Sequence, residues 1–221
     1  MKFLGLAALV LVSLCATGKA RAKIDAAYLT ELARETDPIR FRARAGDLLA
    51  PPPGTTGDTF PLEVIVPALS SLRAPLRAWL PADPARVARE KLPEDQDRAL
   101  RLLALLGDPR DDKLVEAWAG ADNHRAAPPP RACHGPTLAA ALADWESAHF
   151  TKEGYRKGQP RPFASKRIIE APGHDHAVVV HEVRYANWGY NQYVVLIRTR
   201  SVWQVRRVLP HEIFHFRGER E

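Results

Sequence analysis

The spacing of apolar and polar positions changes period once along this chain. Up to about residue 160 it is helical. Asp37-Pro38 reads as an N-cap with proline at the first helical position, and Phe41, Ala45 and Leu48 then recur on one face. Pro51-Pro52-Pro53 stops that segment, and "GTTGDT" at 54–59 continues as a loop. Asp83-Pro84 repeats the cap-plus-proline signal. Glu94 and Asp95 put acids at the positive end of a helix over Arg98–Leu106, and Gly107 stops it. Asp108-Pro109 opens another helix that ends near Gly120. Pro136 starts one in which Leu138, Leu142, Trp145 and His149 share a face.

After Phe163 the period is two. "FASKRIIEA", "HAVVVHEVRY", "QYVVLIRT" and "VWQVRRVL" each read as strands, and the short turns between them imply an antiparallel meander. Ala177, Val179, His181, Val183 and Tyr185 line one face of the second strand. Val178, Val180, Glu182 and Arg184 line the other. Helices first and strands afterwards predict an α+β fold, a helical N-terminal half packed on one face of a C-terminal antiparallel meander. The close, a long strand followed by a tryptophan-bearing one, resembles the cone of NTF2-like folds in pattern. The organisation expected is a signal peptide at 1–22, a helical region at 23–125, a Pro-rich linker or loop at 126–135, and a helix plus sheet at 136–221.

The N-terminus has its own pattern. Lys2 precedes an apolar run, Phe3–Ala16, that falls short of the roughly 20 residues of a membrane span. Ala20-Arg21-Ala22 is a signal-peptidase pattern, so cleavage is expected after Ala22 and the product is expected in the periplasm or outside the cell. Leu14 stands before Cys15 where lipidation wants a small residue, and no second run is expected to anchor the chain. Without residues 1–22, which hold Lys2, Lys19 and Arg21 and no acid, the formal charge falls from +6 to +3. Arg206-Arg207 and Arg198/Arg200 come nearest to a basic cluster and read as a solvated sheet edge, so no nucleic acid partner is expected. Of two cysteines, Cys133 alone remains after that cleavage, which leaves no intramolecular disulfide.

Two strings carry candidate chemistry. "HEIFH", His211–His215, matches HExxH. On a helix both histidines would face one Zn²⁺ and Glu212 would be the general base. Pro210 fits the first helical position and Gly218 the position after the helix. The string "HEIFHFRGERE" resembles the metzincin pattern HExxHxxGxxH over eleven residues, with Glu221 where the third histidine would stand. That resemblance implies a zinc hydrolase with His211 and His215 as ligands. A metzincin site also needs a methionine turn, and the sole methionine here is Met1. "EIFHFR" alternates as a strand does, so an extended reading stays open.

The second string surrounds Cys133, just ahead of the helix begun at Pro136, where a helix N-terminus lowers a thiol pKa. His174, His176 and His181 are candidate bases, with Glu182 or Asn187 to orient one of them. Cysteine, then histidine on a strand, then a polar residue is the order of papain-like folds. "GHDHAVVV…ANWG" resembles the histidine strand of CHAP-type amidases, which implies a cysteine hydrolase. The histidines of the strand-rich half are also candidate metal ligands together. The hairpin Tyr185–Tyr193, with Trp188 and Tyr190, combines flat apolar rings with amide side chains and is the candidate surface for a protein or glycan partner. Neither catalytic set is complete. The leading expectation is therefore an exported binding or accessory protein of the bacterial envelope, of inhibitor or immunity type. A zinc hydrolase and a cysteine hydrolase are the alternatives.

Overall fold

The computed structural model describes residues 24–49, 61–120, 132–149, 163–184 and 188–215. Within them run α1 (Ala26–Ala33), α2 (Pro38–Arg44), α3 (Gly46–Leu49), α4 (Leu62–Ile65), α5 (Leu69–Trp79), α6 (Pro84–Arg89), α7 (Glu94–Leu106), α8 (Asp112–Gly120) and α9 (Leu138–His149). The strands are β1 (His134–Gly135), β2 (Phe163–Glu170), β3 (His176–Arg184), β4 (Trp188–Thr199) and β5 (Val202–His215). The fold is α+β. The segment 1–22 and most of the Pro-rich linker lie outside the described residues.

The three aspartate–proline pairs act as the sequence predicts. Asp37, Asp83 and Asp108 each accept a hydrogen bond from the backbone N–H two residues on, at 2.9, 2.9 and 2.8 Å. Proline fills the next position, where a helix has no use for the missing N–H. Two segments escaped the pattern. α1 is capped by Asp25, whose carboxylate accepts from Tyr28 N–H at 3.0 Å. α4 and α5 are joined by a 3-10 turn, Val66–Ala68, with Pro67 in the turn. Pro75 sits inside α5 and is buried, so packing outweighs the lost hydrogen bond.

The sheet order is β1-β5-β4-β3-β2 and every pairing is antiparallel. Its two faces carry separate cores, and the helical N-terminal half lies on one of them as expected. Ile169, Val178, Val180, Tyr193, Val195 and Leu209 join the core of α1–α8. Ala177, Val179, Val194, Leu196, Trp203, Val205 and Val208 form a second core with Leu142 and Trp145 of α9. Helices therefore cover both faces, not one. This explains why "HAVVV" is apolar without a break: a strand buried on both sides has no polar face to present. The helical region and the sheet share one continuous core, and α9 closes the other side.

β5 carries two irregularities. Val195 pairs with Arg207 and Leu196 with Val205, so Arg206 is an extra residue. Tyr193 pairs with Leu209 and Asn191 with Glu212, so Pro210 and His211 together oppose Gln192. Bulges tolerate proline because the ladder is already interrupted there.

The C-terminus of α7 is docked on the sheet. Gly107 takes the left-handed conformation, φ 67°, and ends the helix as expected. A β-carbon there would meet Val195 Cγ1 at 3.0 Å and Ile197 Cγ2 at 3.4 Å. His176 Nε2–H donates to the Leu105 carbonyl at 2.7 Å, which satisfies one of the orphan acceptors of the last turn. Burial holds the His176 pKa below the usual imidazole value. The unfolded chain then binds more protons than the folded one below about pH 6.5, so stability is full above that pH and falls as pH drops through the window below it, by up to about 1.4 kcal/mol per unit. Denaturant titrations at pH 7.5 and 5.5 should show this loss in the wild type, and His176→Gln should reduce it. Equal pH dependence in the two proteins would sink the assignment.

Candidate functional site

Residues 211–215 form the end of β5, with 212–215 paired to 188–191, and not a helix. The helical reading of "HEIFH" is corrected: pairing with β4 outweighs the local signals for a helix. Along a strand His211 and His215 lie about 13 Å apart, against about 6 Å of rise on a helix, so strand spacing does not supply the i, i+4 approach that motivated the zinc motif. The side chains of His211, Glu212 and His215 lie outside the described residues. Among the described residues no group of three His, Cys, Asp or Glu side chains is placed to hold a metal ion.

Cys133 is 1 % exposed, packed in the core beneath α9. Its carbonyl accepts from Val205 N–H at 2.9 Å, level with Leu196 and Ala177 in the neighbouring strands. The candidate histidines are dispersed around it. His174 is in the β2–β3 turn with φ 50°, exposed and 3.0 Å from Glu170 Oε2. His176 faces the helical half, on the far side of the sheet, where Leu105 engages it. His181 shares the face of Cys133 but stands four residues further along β3 than Ala177. That separation is at least about 13 Å, far beyond the hydrogen-bond reach of a nucleophile and its base. Asn187 lies outside the described residues.

His181 belongs to a different cluster. Its Nε2 is 3.1 Å from Glu146 Oε1 of α9, and its ring meets Trp145 edge-on with centroids 5.3 Å apart. Lys166 Nζ reaches the same carboxylate oxygen at 3.0 Å. Lys166, His181 and Gln192 are cross-strand partners in one row of the sheet, and the β5 bulge at 210–211 continues it. The sequence pattern placed His181 on the correct face, but Glu146 carried no signal that would have joined it to a histidine 35 residues away.

Charges missed in the sequence reading hold the helices to one another and to the sheet. Asp111, 1 % exposed, receives both Arg73 Nε at 2.8 Å and Arg73 Nη2 at 3.0 Å, with Arg77 at 3.3 Å. Asp112 binds Arg206 and Arg207 together. The reading of Arg206-Arg207 as a solvated edge is thus corrected: the bulge at Arg206 lets two adjacent residues reach one carboxylate on one face. Burial lowers the Arg207 pKa, and Asp112 opposes that shift. Of the aromatic hairpin, Tyr193 is 5 % exposed in the core and does not belong to a surface. Tyr185 and the side chains of Trp188 and Tyr190 lie outside the described residues. No described helix is long and apolar enough to cross a membrane.

Comparison with known proteins finds no matching family model, no matching curated protein and no matching solved structure.

Proposed function

We propose that this chain is an exported, non-catalytic binding or accessory protein of the bacterial envelope, of inhibitor or immunity type. The observation that carries the reading is the use of the described candidate residues as packing elements. Cys133 is sealed under α9, His176 caps α7, and His181 is held by Glu146 on the opposite face. The sequence pattern at 1–22 supports export. The engagement of Arg206 and Arg207 by one carboxylate, Asp112, supports a reading without a nucleic acid partner. The sequence pattern puts the protein or glycan partner on the aromatic stretch Tyr185–Tyr193, and the burial of Tyr193 leaves that role to its other residues.

Thiol labelling tests the reading. Iodoacetamide at pH 6.5 should leave Cys133 of the native protein unmodified and alkylate it only after denaturation, as read by intact mass. Native labelling faster than that of free cysteine would overturn the non-catalytic reading in favour of the cysteine hydrolase.

The zinc alternative retains one observation in its favour. Of the three histidines that could complement His211, only His181 lies in the cross-strand row that reaches the 210–211 bulge. Protein purified without chelator should hold less than about a tenth of an equivalent of zinc if the binding reading is right. A full equivalent, lost on His181→Ala, would support the alternative.

A further inference from the structure

A groove of about 430 Å³ runs along the outer side of the helical half, between α1 and the α4–α5 segment. Thr30, Ala33 and Arg34 line one wall, and Val64, Ala68 and Ser71 the other. Each wall repeats at three- and four-residue spacing, so two helices present small side chains to one another across a gap that neither fills. The volume lies within the range of small-molecule pockets.

The polar groups of the groove are few and point to one ligand chemistry. The Thr30 hydroxyl donates to the Ala26 carbonyl at 2.7 Å and is thereby engaged. Arg34, at the end of α1, is the one charged residue among the described residues of the lining. Its guanidinium makes no ion pair with any described residue. The nearest acids in sequence, Glu31 and Glu35, are bound instead to Arg44, at 2.7 and 3.5 Å. A largely apolar trough, with the Thr30 and Ser71 hydroxyls on its walls and one cation that no described acid pairs, is complementary to an apolar chain with one anionic head. The guanidinium fork matches a carboxylate in two parallel hydrogen bonds. The α1 wall spans about 12 Å, which suits an alkyl chain of roughly ten carbons.

We infer that this groove binds a medium-chain alkyl carboxylate, its chain along Ala33, Val64 and Ala68 and its head on Arg34. The inference rests on the reading of the chain as a binding protein and names a ligand class for it.

Isothermal titration with dodecanoate below its micelle concentration tests it, with acetate and dodecyltrimethylammonium as parallel probes. Dodecanoate should bind saturably with one site per chain. Acetate should give no heat, and the cationic amphiphile should bind at least about fivefold more weakly, as should dodecanoate to Arg34→Gln. Ser71→Trp fills the groove from an exposed helical position and should abolish binding. Thr30→Trp, also exposed, repeats that test from the opposite wall, and circular dichroism checks that both fold. The inference fails if dodecanoate does not saturate, if the cationic amphiphile binds equally well, or if the filled variants bind like the wild type. It also fails if light scattering gives a dimer that Ser71→Trp dissociates, because a second copy then covers the groove. These outcomes are separate from Cys133 labelling and zinc content, so the ligand class can fail while the binding reading stands.

Discussion

Trp145→Ala is expected to destabilise the protein by about 3–5 kcal/mol, the range for removing a large buried aromatic side chain. Trp145 is completely buried. It is the largest side chain that α9 sends into the second core, against Val179, Val194 and Leu196, and its ring also meets His181. Its removal leaves a cavity between one helix and a sheet already held from behind by α1–α8, so neighbours have little freedom to collapse into it. Urea denaturation of the wild type and variant measures the loss. A cost below about 1 kcal/mol would mean that α9 does not seal that face. Trp145→Phe keeps most of the volume and should recover much of the difference.

Asp112→Ala is expected to cost about 3 kcal/mol, the low end for breaking a buried ion pair, because Arg206 keeps some contact with water. Arg207 keeps less: its side chain is 9 % exposed against 26 % for Arg206. Without the Asp112 carboxylate an arginine remains buried with only the weaker field of Glu116 to offset its charge, and this, more than the lost attraction, makes the change expensive. A second change separates the two causes. Arg207→Met in the Asp112→Ala background should restore most of the stability by replacing the stranded charge with an apolar side chain of similar reach. Arg206→Met in the same background should restore less. If the two rescues are equal, the pairing is a surface effect and the bulge at Arg206 does not bury it.

Much of the chain was legible locally. The Asp-Pro pairs at 37, 83 and 108 mark helix starts because capping is satisfied within two residues of the cap. Gly107 marks a helix end because it can turn left-handed where it stands. Alternation separated Val178 and Val180 from Val179 and His181 because strand side chains alternate whatever covers them. The candidate site was less legible. The spacing of His211 and His215 is a helical signature, yet whether 210–215 is helix or strand depends on β4 being there to pair with it. The helix α5 was not legible for the same reason: its internal Pro75, which would break an isolated helix, is held by the core around it.

The sequence by itself determined the α+β class, the order of helices before strands, most helix starts and the two faces of β3, all properties set by contacts a few residues long. Only the tertiary structure decided that α9 covers the second face, that Arg206 and Arg207 share Asp112, and that Cys133, His176 and His181 stand apart. Those facts depend on register and on one-residue bulges in β5. A single inserted residue reverses which side of the sheet every later residue faces, and only pairing with a strand distant in sequence selects where the insertion falls.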